Sequence, residues 1–261
     1  MSNINSKKNI LLIGGHDPTG GAGIQADIES VSAAGCRPLT IVTALTAQNT
    51  RQVIKIIPQS VDNLQQQLSL LMDDYPVHAV KTGLLGSIEQ FDLLASLFSS
   101  IKIPIVIDPV LKSGSGDNFL AKEIHTRYSS LLPFATLITP NHFEAKQLGD
   151  CDIVEDAAER LITIGSKNVL ITGADEKTEN VKNILFTSDK TLTFEYPRLP
   201  HVYHGSGCTL ASHIAAKLAM NETIEDATKL AQDYTWQCLN NAESIGRSQW
   251  HPNRFYKYDH E

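Results

Sequence analysis

The sequence predicts a single α/β domain with a mostly parallel central sheet covered by helices on both faces. Three observations carry that prediction. Short apolar runs rich in Val, Ile and Thr alternate with amphipathic helical stretches through most of the 261 residues, the pattern of repeated βαβ units. The runs are nearly continuous in hydrophobicity rather than alternating, so both of their faces are expected to be buried. Finally, no internal repeat, low-complexity linker or step in composition marks a boundary. Residues 1–261 therefore read as one domain, with a core over about 9–245 and a polar, aromatic C-terminal tail.

The elements follow in order. Strands are expected at 9–15 (NILLIGG), 39–45 (LTIVTAL), 77–83 (VHAVKTG), 103–109 (IPIVIDP), 135–140 (ATLITP) and 168–173 (NVLITG). Between them, Ile24, Ile28 and Val31 share a face of a helix over 23–35, and Val61, Leu64, Leu68 and Leu71 form the apolar stripe of another over 60–73. Further helices are expected at about 87–99, 117–131, 141–148 and 155–165. Residues 181–195 break the alternation and read as a hairpin turning at Ser188 to Lys190, before two closing helices at 208–220 and 222–243.

Bulk properties narrow the function classes. Hydrophobic residues make up 42% and charged residues 20%, with a formal charge of −7, which argues against polyelectrolyte binding to nucleic acid or an anionic membrane. Any anion must be held by a local site against the global sign. The four cysteines (Cys36, Cys151, Cys208, Cys238) are scattered without a CxxC pair, which fits a reducing cytoplasm better than a disulfide framework or a zinc site. No signal peptide or membrane-length apolar run is visible.

In a parallel sheet, ligands bind at the carboxyl ends of the strands, and four segments there carry the chemistry. "GGHDPTGGAGIQAD" (14–27) joins a strand end, a glycine-rich turn and a helix start. It matches neither GxGxxG nor a P-loop. It is either a plain glycine turn with a solvated aspartate or a loop that lets a ligand reach the backbone, with Asp27 at the edge of the buried helix face. "TALTAQNT" (43–50) follows the second strand; it is either an Asn- and Gln-containing loop with no ligand, or Gln48 and Asn49 there meet an edge-on heterocycle or a polyol. "ITPNHFEA" (138–145) sets Asn141 and Glu144 three apart on a first helical turn. Glu144 is either a carboxylate favoured by the helix dipole or, with Asp108 nearby, a Mg²⁺ ligand acting with substrate phosphates.

The fourth is "HGSGCTLASHIAAKLAM" (204–220). Gly205, Ser206 and Gly207 either make a simple tight turn with a small buried cysteine behind it, or they aim backbone N–H groups at an anion. On the second view Cys208 sits there as a thiol whose pKa, about 8.5 when free, is lowered by the helix end. With "VLITG" (169–173), the set suits phosphoryl transfer, which needs positioning and charge stabilisation more than covalent chemistry.

The motifs "GHDPTGGAGIQAD", "TALTAQNT", "DPVLKSGSGD", "LITPNHFEA" and "HGSGCTLASHIAAKLA" occur in the order and spacing of the hydroxymethylpyrimidine/phosphomethylpyrimidine kinases of thiamine biosynthesis. The chain resembles that family over roughly residues 9–245. The resemblance implies a three-layer ribokinase-like sandwich and an ATP- and Mg²⁺-dependent kinase. Its substrate would be 4-amino-5-hydroxymethyl-2-methylpyrimidine and then the monophosphate. Gly14, Asp27, Thr46 and Gln48 would lie at the pyrimidine, Asn141, Thr172 and Gly173 at the nucleotide, and Glu144 with Asp108 at the metal. Gly205, Ser206 and Gly207 would hold the transferred phosphoryl group, with Cys208 as base; general-base help is worth ~10²–10⁴-fold. The adenine is expected near 199–203 and the final helices, with His16 and His204 flanking the glycine turns.

A homodimer in the cytoplasm is the expected assembly, without a second thiamine-phosphate synthase domain. Two departures stand out: Thr172 takes the place of a common family lysine, and "KSGSGD" puts Gly114 where another lysine is frequent, with Lys112 close by. They bear on the second phosphorylation. They also motivate two alternatives, a pyridoxal kinase of the same superfamily and a homologue that binds ligand with little or no turnover.

Overall fold

The computed structural model describes residues 7–111 and 127–258. Among the described residues nine strands form one sheet: β1 (Asn9–His16), β2 (Arg37–Gln48), β3 (Val53–Pro58), β4 (Ala79–Thr82), β5 (Ile105–Ile107), β6 (Leu137–Ile138), β7 (Val169–Ile171), β8 (Asn180–Phe186) and β9 (Thr191–Pro197). Seven α-helices connect or follow them among the described residues: α1 (Gly23–Ala33), α2 (Val61–Asp74), α3 (Ile88–Ser100), α4 (His142–Gly149), α5 (Val154–Ile164), α6 (Ser206–Ala219) and α7 (Ile224–Asn240). The expected helix at 117–131 falls mostly outside the described residues; at its end lies a short 3-10 turn, Tyr128–Ser130.

The sheet order is β3-β2-β1-β4-β5-β6-β7-β8-β9. Its middle is parallel from β2 to β7, with antiparallel additions at both edges. The chain leaves β1 toward β2 on one side and returns to β4 on the other. The switch point, where a crevice opens in doubly wound sheets, therefore lies between β1 and β4.

Strand alternation builds the two outer layers. Leu11 and Ile13 point to the face covered by Leu64 and Leu68 of α2 and Phe91 and Leu94 of α3. Their neighbours Ile10 and Leu12 point to the opposite face, against Ile24 of α1 and Leu210 and Ile214 of α6. All four strand residues are essentially fully buried, as the continuous apolar run required.

One expectation about the chain path fails. Residues 43–50 are not a loop after the second strand: β2 runs on to Gln48 and folds back on β3 as an antiparallel hairpin. β3 was passed over although Val53, Ile54, Ile56 and Ile57 are all strand formers; most of it is exposed, as an edge strand can be. Asn49 is spent in the turn, where its Oδ1 accepts from the Arg51 and Gln52 N–H groups at 2.9 and 3.2 Å. It does not line the cavity described below.

No helix among the described residues is long and apolar enough to cross a membrane.

Candidate active site

A cavity of about 700 Å³ runs along the carboxyl edge of the sheet. At its β1–β2 end it is walled by Gly14, His16, Asp27, Thr46 and Gln48; in the middle by Lys81, Asp108, Glu144 and residues 205–208; at the far end by Thr172, Asp175, Leu199, His201, Gln232 and Trp236. The expected pyrimidine, phosphoryl and adenine regions thus share one cavity. Gly173 is the exception. It is buried behind the wall, its N–H donating to Asn183 Oδ1 at 3.0 Å, and an added Cβ would sit 2.3 Å from the Lys182 carbonyl oxygen. It is a close-approach glycine between β7 and β8 rather than a ligand contact.

The glycine turn opens two helices into this cavity. Gly205 caps α6 with φ +81°, and a Cβ there would fall 2.0 Å from the Gly21 carbonyl oxygen, so only glycine fits. α6 starts at Ser206, two residues earlier than the spacing predicts, because the turn is completed by Gly205 alone. The first N–H groups of a helix have no acceptor within it. Ser206, Gly207 and Cys208, the first residues of α6, line the cavity together with Gly23 at the start of α1. Two positive helix ends therefore converge where an anion is expected.

Asp17 ties the two turns together. Its Oδ1 accepts from the Thr19 N–H at 2.8 Å, and its Oδ2 from the Ala22 N–H at 3.0 Å and from His204 Nε2 at 2.7 Å. His204 is thus a buried cross-strut, while His16 stays exposed on the cavity wall, its carbonyl taking the Thr46 hydroxyl at 2.8 Å. Gln48 Nε2 donates to Thr46 Oγ1 at 2.9 Å, so these two polar groups stand side by side on β2.

At the centre lies an ion pair that the sequence reading missed. Lys81 is fully buried on β4 and donates from Nζ to Asp27 Oδ1 at 2.8 Å, with Asp108 Oδ2 at 3.4 Å. Asp27 is not at an edge: it is wholly buried and also accepts from Ser212 Oγ at 2.6 Å. Burial alone would lower the lysine pKa, but the Asp27 carboxylate, then Cys208 and Asp108, outweigh it and hold the ammonium above its ordinary range. The available signal was a lone charge inside AVKT, a strand buried at every position. A lysine cannot be buried there unless paired.

The lowered thiol pKa does not hold. Burial pushes Cys208 up to about 12, with Asp108 and Asp27 adding to it; Lys81 and the Gly23 N–H oppose them and lose. In the ligand-free site Cys208 keeps its proton. Burial is the largest cause, and the two carboxylates that add to it are invisible as neighbours in sequence. Cys36 and Cys238 are buried and Cys151 half-buried; all four are free thiols, and none of these three lines the cavity.

Asn141 and Glu144 are both things the sequence allowed. They form a capping box at the start of α4: Asn141 Oδ1 accepts from the Glu144 N–H at 2.8 Å, and Glu144 Oε2 accepts from the Asn141 N–H at 3.0 Å. Glu144 Oε1 takes the Leu111 N–H at 3.3 Å. Burial, reinforced by Asp108 and Asp175, still raises its carboxyl to about 8.

That raised carboxyl tests the fit of a cation. Asp108 Oδ2 is buried without a hydrogen bond, its ion-pair contact with Lys81 being long, and Glu144 feels its charge. A divalent ion between Asp108 and Glu144 would relieve both. No group of three or more metal-ligating side chains occurs among the described residues. Phosphate oxygens and water would have to complete the shell, the usual arrangement for Mg²⁺. Lys112 and Gly114 lie outside the described residues.

The doubly wound sheet and this anion-directed cavity define a small-molecule phosphotransferase. The sequence profile of phosphomethylpyrimidine kinase matches residues 17–253. The hydroxymethylpyrimidine/phosphomethylpyrimidine kinase of Haemophilus influenzae is 34% identical over 268 residues, covering 98% of each chain. Among solved structures, the ADP complex of Bacillus subtilis pyridoxal kinase superposes with a TM-score of 0.88 at 29% identity, covering 95% of this chain and 98% of that one. A phosphomethylpyrimidine kinase from Clostridium difficile gives 0.78 at 32% identity, covering 89% and 100%. The chain belongs to the phosphomethylpyrimidine kinase family.

Proposed function

We propose that the chain transfers the γ-phosphoryl group of ATP to the hydroxymethyl oxygen of 4-amino-5-hydroxymethyl-2-methylpyrimidine, and then to the resulting monophosphate, in thiamine biosynthesis. The observation that carries this reading is the convergence of the α1 and α6 N-termini on Cys208, beside the Asp27–Lys81–Asp108 cluster, in one cavity of about 700 Å³. Gly14, Thr46 and Gln48 line the pyrimidine end, and Asp27, fixed by Lys81, gives that end a carboxylate edge. Asn141 and Thr172 lie at the nucleotide phosphates, and the cleft between β9 and α7 takes the adenine.

The N–H groups of residues 206–208 receive charge as it develops on the transferred group, the term that dominates a loose phosphoryl transfer. Mg²⁺, held by Asp108 and Glu144 with phosphate oxygens, would supply charge neutralisation there. At the start of α6 and beside the Gly23 N–H, Cys208 Sγ takes the alcohol proton as a thiolate, its own proton having first passed to bulk water.

Lys81 compensates little for the missing family lysines, because its charge is committed to Asp27. Among the described residues on the wall, Arg198 is the other permanent cation. Its guanidinium is bonded to the Gly173, Ala174 and Thr178 carbonyls. The exposed Ile54 and Ile57 on the β2–β3 hairpin offer the apolar surface for the homodimer, in the cytoplasm where four free thiols persist.

A second reading, pyridoxal kinase, is favoured by the higher TM-score to the pyridoxal enzyme, 0.88 against 0.78. ADP release from ATP and Mg²⁺ with hydroxymethylpyrimidine, its monophosphate and pyridoxal tested separately decides between them. Turnover of the pyrimidine that collapses in Cys208→Ala is the expected result. Turnover of pyridoxal alone installs the second reading, and binding without ADP release from any of the three removes both.

A further inference from the structure

The polar, aromatic segment that follows α7 is not a loose tail. Its backbone pairs with the approach to the glycine turn: the Trp250 N–H donates to the Val202 carbonyl at 2.8 Å, and the His204 N–H to the Trp250 carbonyl at 2.9 Å. The Trp250 indole stacks flat on the His201 ring, centroids 3.7 Å apart at 7°, and His201 lines the cavity. Four residues on, Arg254 turns inward until its side chain is 2% exposed.

Arg254 reaches three elements at once. Nη2 donates to the Gly21 carbonyl, in the turn before α1. Nε donates to Thr209 Oγ1 at 2.8 Å, and that hydroxyl donates onward to the Gly205 carbonyl at 2.9 Å. Nη1 pairs with Glu29 Oε2 of α1 at 3.0 Å. The guanidinium therefore bonds one turn directly and the other through a single hydroxyl, at the place where Gly21 and Gly205 touch. A planar fork with fixed donor directions can define such a spacing; an ammonium, a point charge on a flexible stem, cannot. The Arg254 carbonyl is in turn held by Tyr234 OH at 2.8 Å, anchoring the segment to α7.

We infer that residues 249–254 are a strap that sets the separation of the two glycine turns, with Arg254 as a positioning residue for phosphoryl transfer. The inference rests on the kinase reading for its catalytic consequence, but its structural content does not. Arg254 is not among the residues that line the cavity. It acts through Gly21 and Thr209 on the N–H groups of residues 206–208 and on the turn that faces them. A displacement of about 1 Å in such a constellation costs ~10²-fold in rate.

The test is steady-state kinetics of Arg254→Ala, Arg254→Lys and the near-isosteric Thr209→Val, with amide hydrogen exchange on the same ligand-free proteins. Arg254→Ala is expected to lower kcat by ~10²-fold, with KM for ATP and for the pyrimidine within about threefold of wild type. Millimolar methylguanidinium should restore at least a tenth of the lost rate in that variant and leave wild type unchanged, while Arg254→Lys stays low. Amides of residues 19–23 and 205–209 should exchange faster in Arg254→Ala, and those of β4 and β5 at the wild-type rate.

A kcat within threefold of wild type in folded Arg254→Ala overturns the inference. So does faster exchange spread evenly over the sheet, which marks a merely structural role. If Arg254→Ala does not fold, Thr209→Val decides by the same kcat and exchange criteria. Should wild type turn over no substrate, the kinase reading falls, and the exchange comparison still decides the strap.

Discussion

Replacing Lys81 by methionine is the sharpest perturbation the site allows. Methionine fills a similar unbranched volume but removes the ammonium that faces two carboxylates, at 2.8 Å from Asp27 and 3.4 Å from Asp108. Lys81 and Asp27 have no solvent exposure, so water cannot take over. Removing one partner of a buried pair costs about 3–5 kcal/mol, because the remaining charge is left uncompensated. For a chain of this size each kcal/mol moves the melting temperature by about 2–4 °C, so the fall should be roughly 6–20 °C. Urea denaturation should show a lower midpoint with an unchanged slope.

The double variant Lys81→Met/Asp27→Asn removes the stranded charge and should recover part of the loss, a coupling of about 0.5–3 kcal/mol. The lysine pKa is raised in the fold, so its stabilisation is present below the unfolded value of about 10.4 and lost only as pH rises through the higher folded value. The gap between wild type and Lys81→Met should therefore persist through neutral pH. A loss under about 1 kcal/mol, or a double variant no more stable than the single one, refutes the paired-charge account, since a buried pair should cost several times that.

Three other expectations follow from the same geometry. Cys208→Ala should lower kcat by ~10²–10⁴-fold with little change in melting temperature; in the ligand-free wild type, iodoacetamide should label Cys208 slowly at neutral pH and ever faster up to pH 10, since the thiol is held near 12, and a labelling plateau below pH 8 contradicts this. Gly205→Ala forces a non-glycine residue to φ +81° with its Cβ against Gly21, so it should lose more than the ~1–2 kcal/mol of a left-handed residue alone, measurable by calorimetry, together with turnover. Glu144 has a folded pKa raised to about 8, so its favourable contribution is present below about pH 4.3 and fades as pH climbs to 8; metal-free wild type should lose stability across that window in urea titrations, and Glu144→Gln should flatten the profile.

Much of the site was legible because its parts are local motifs. The Gly205 turn, the Asn141–Glu144 spacing and the polar pair Thr46 and Gln48 each occupy a few consecutive residues, and each reached the cavity wall as expected. Gly173 did not, since whether a glycine faces a ligand or a neighbouring strand depends on what lies across from it. Lys81 was overlooked because its meaning comes from residues 54 and 27 positions away. Arg254 was passed over as part of a tail, although it sits 45 positions from Thr209 and 233 from Gly21.

The division has a physical basis. Periodicity, glycine turns and caps act over one or two turns of chain, so the residues alone determined the alternating elements, the parallel sheet with helices on both faces, the place of the glycine turns and the family resemblance. The protonation state of Cys208 was decided only by tertiary structure, where burial, with Asp108 and Asp27 adding to it, outweighs Lys81 and the Gly23 N–H. The antiparallel β2–β3 edge was also decided there, because strand-forming residues do not say which strand they will pair with. Coulomb forces and desolvation depend on distance through space, and distance along the chain does not report it.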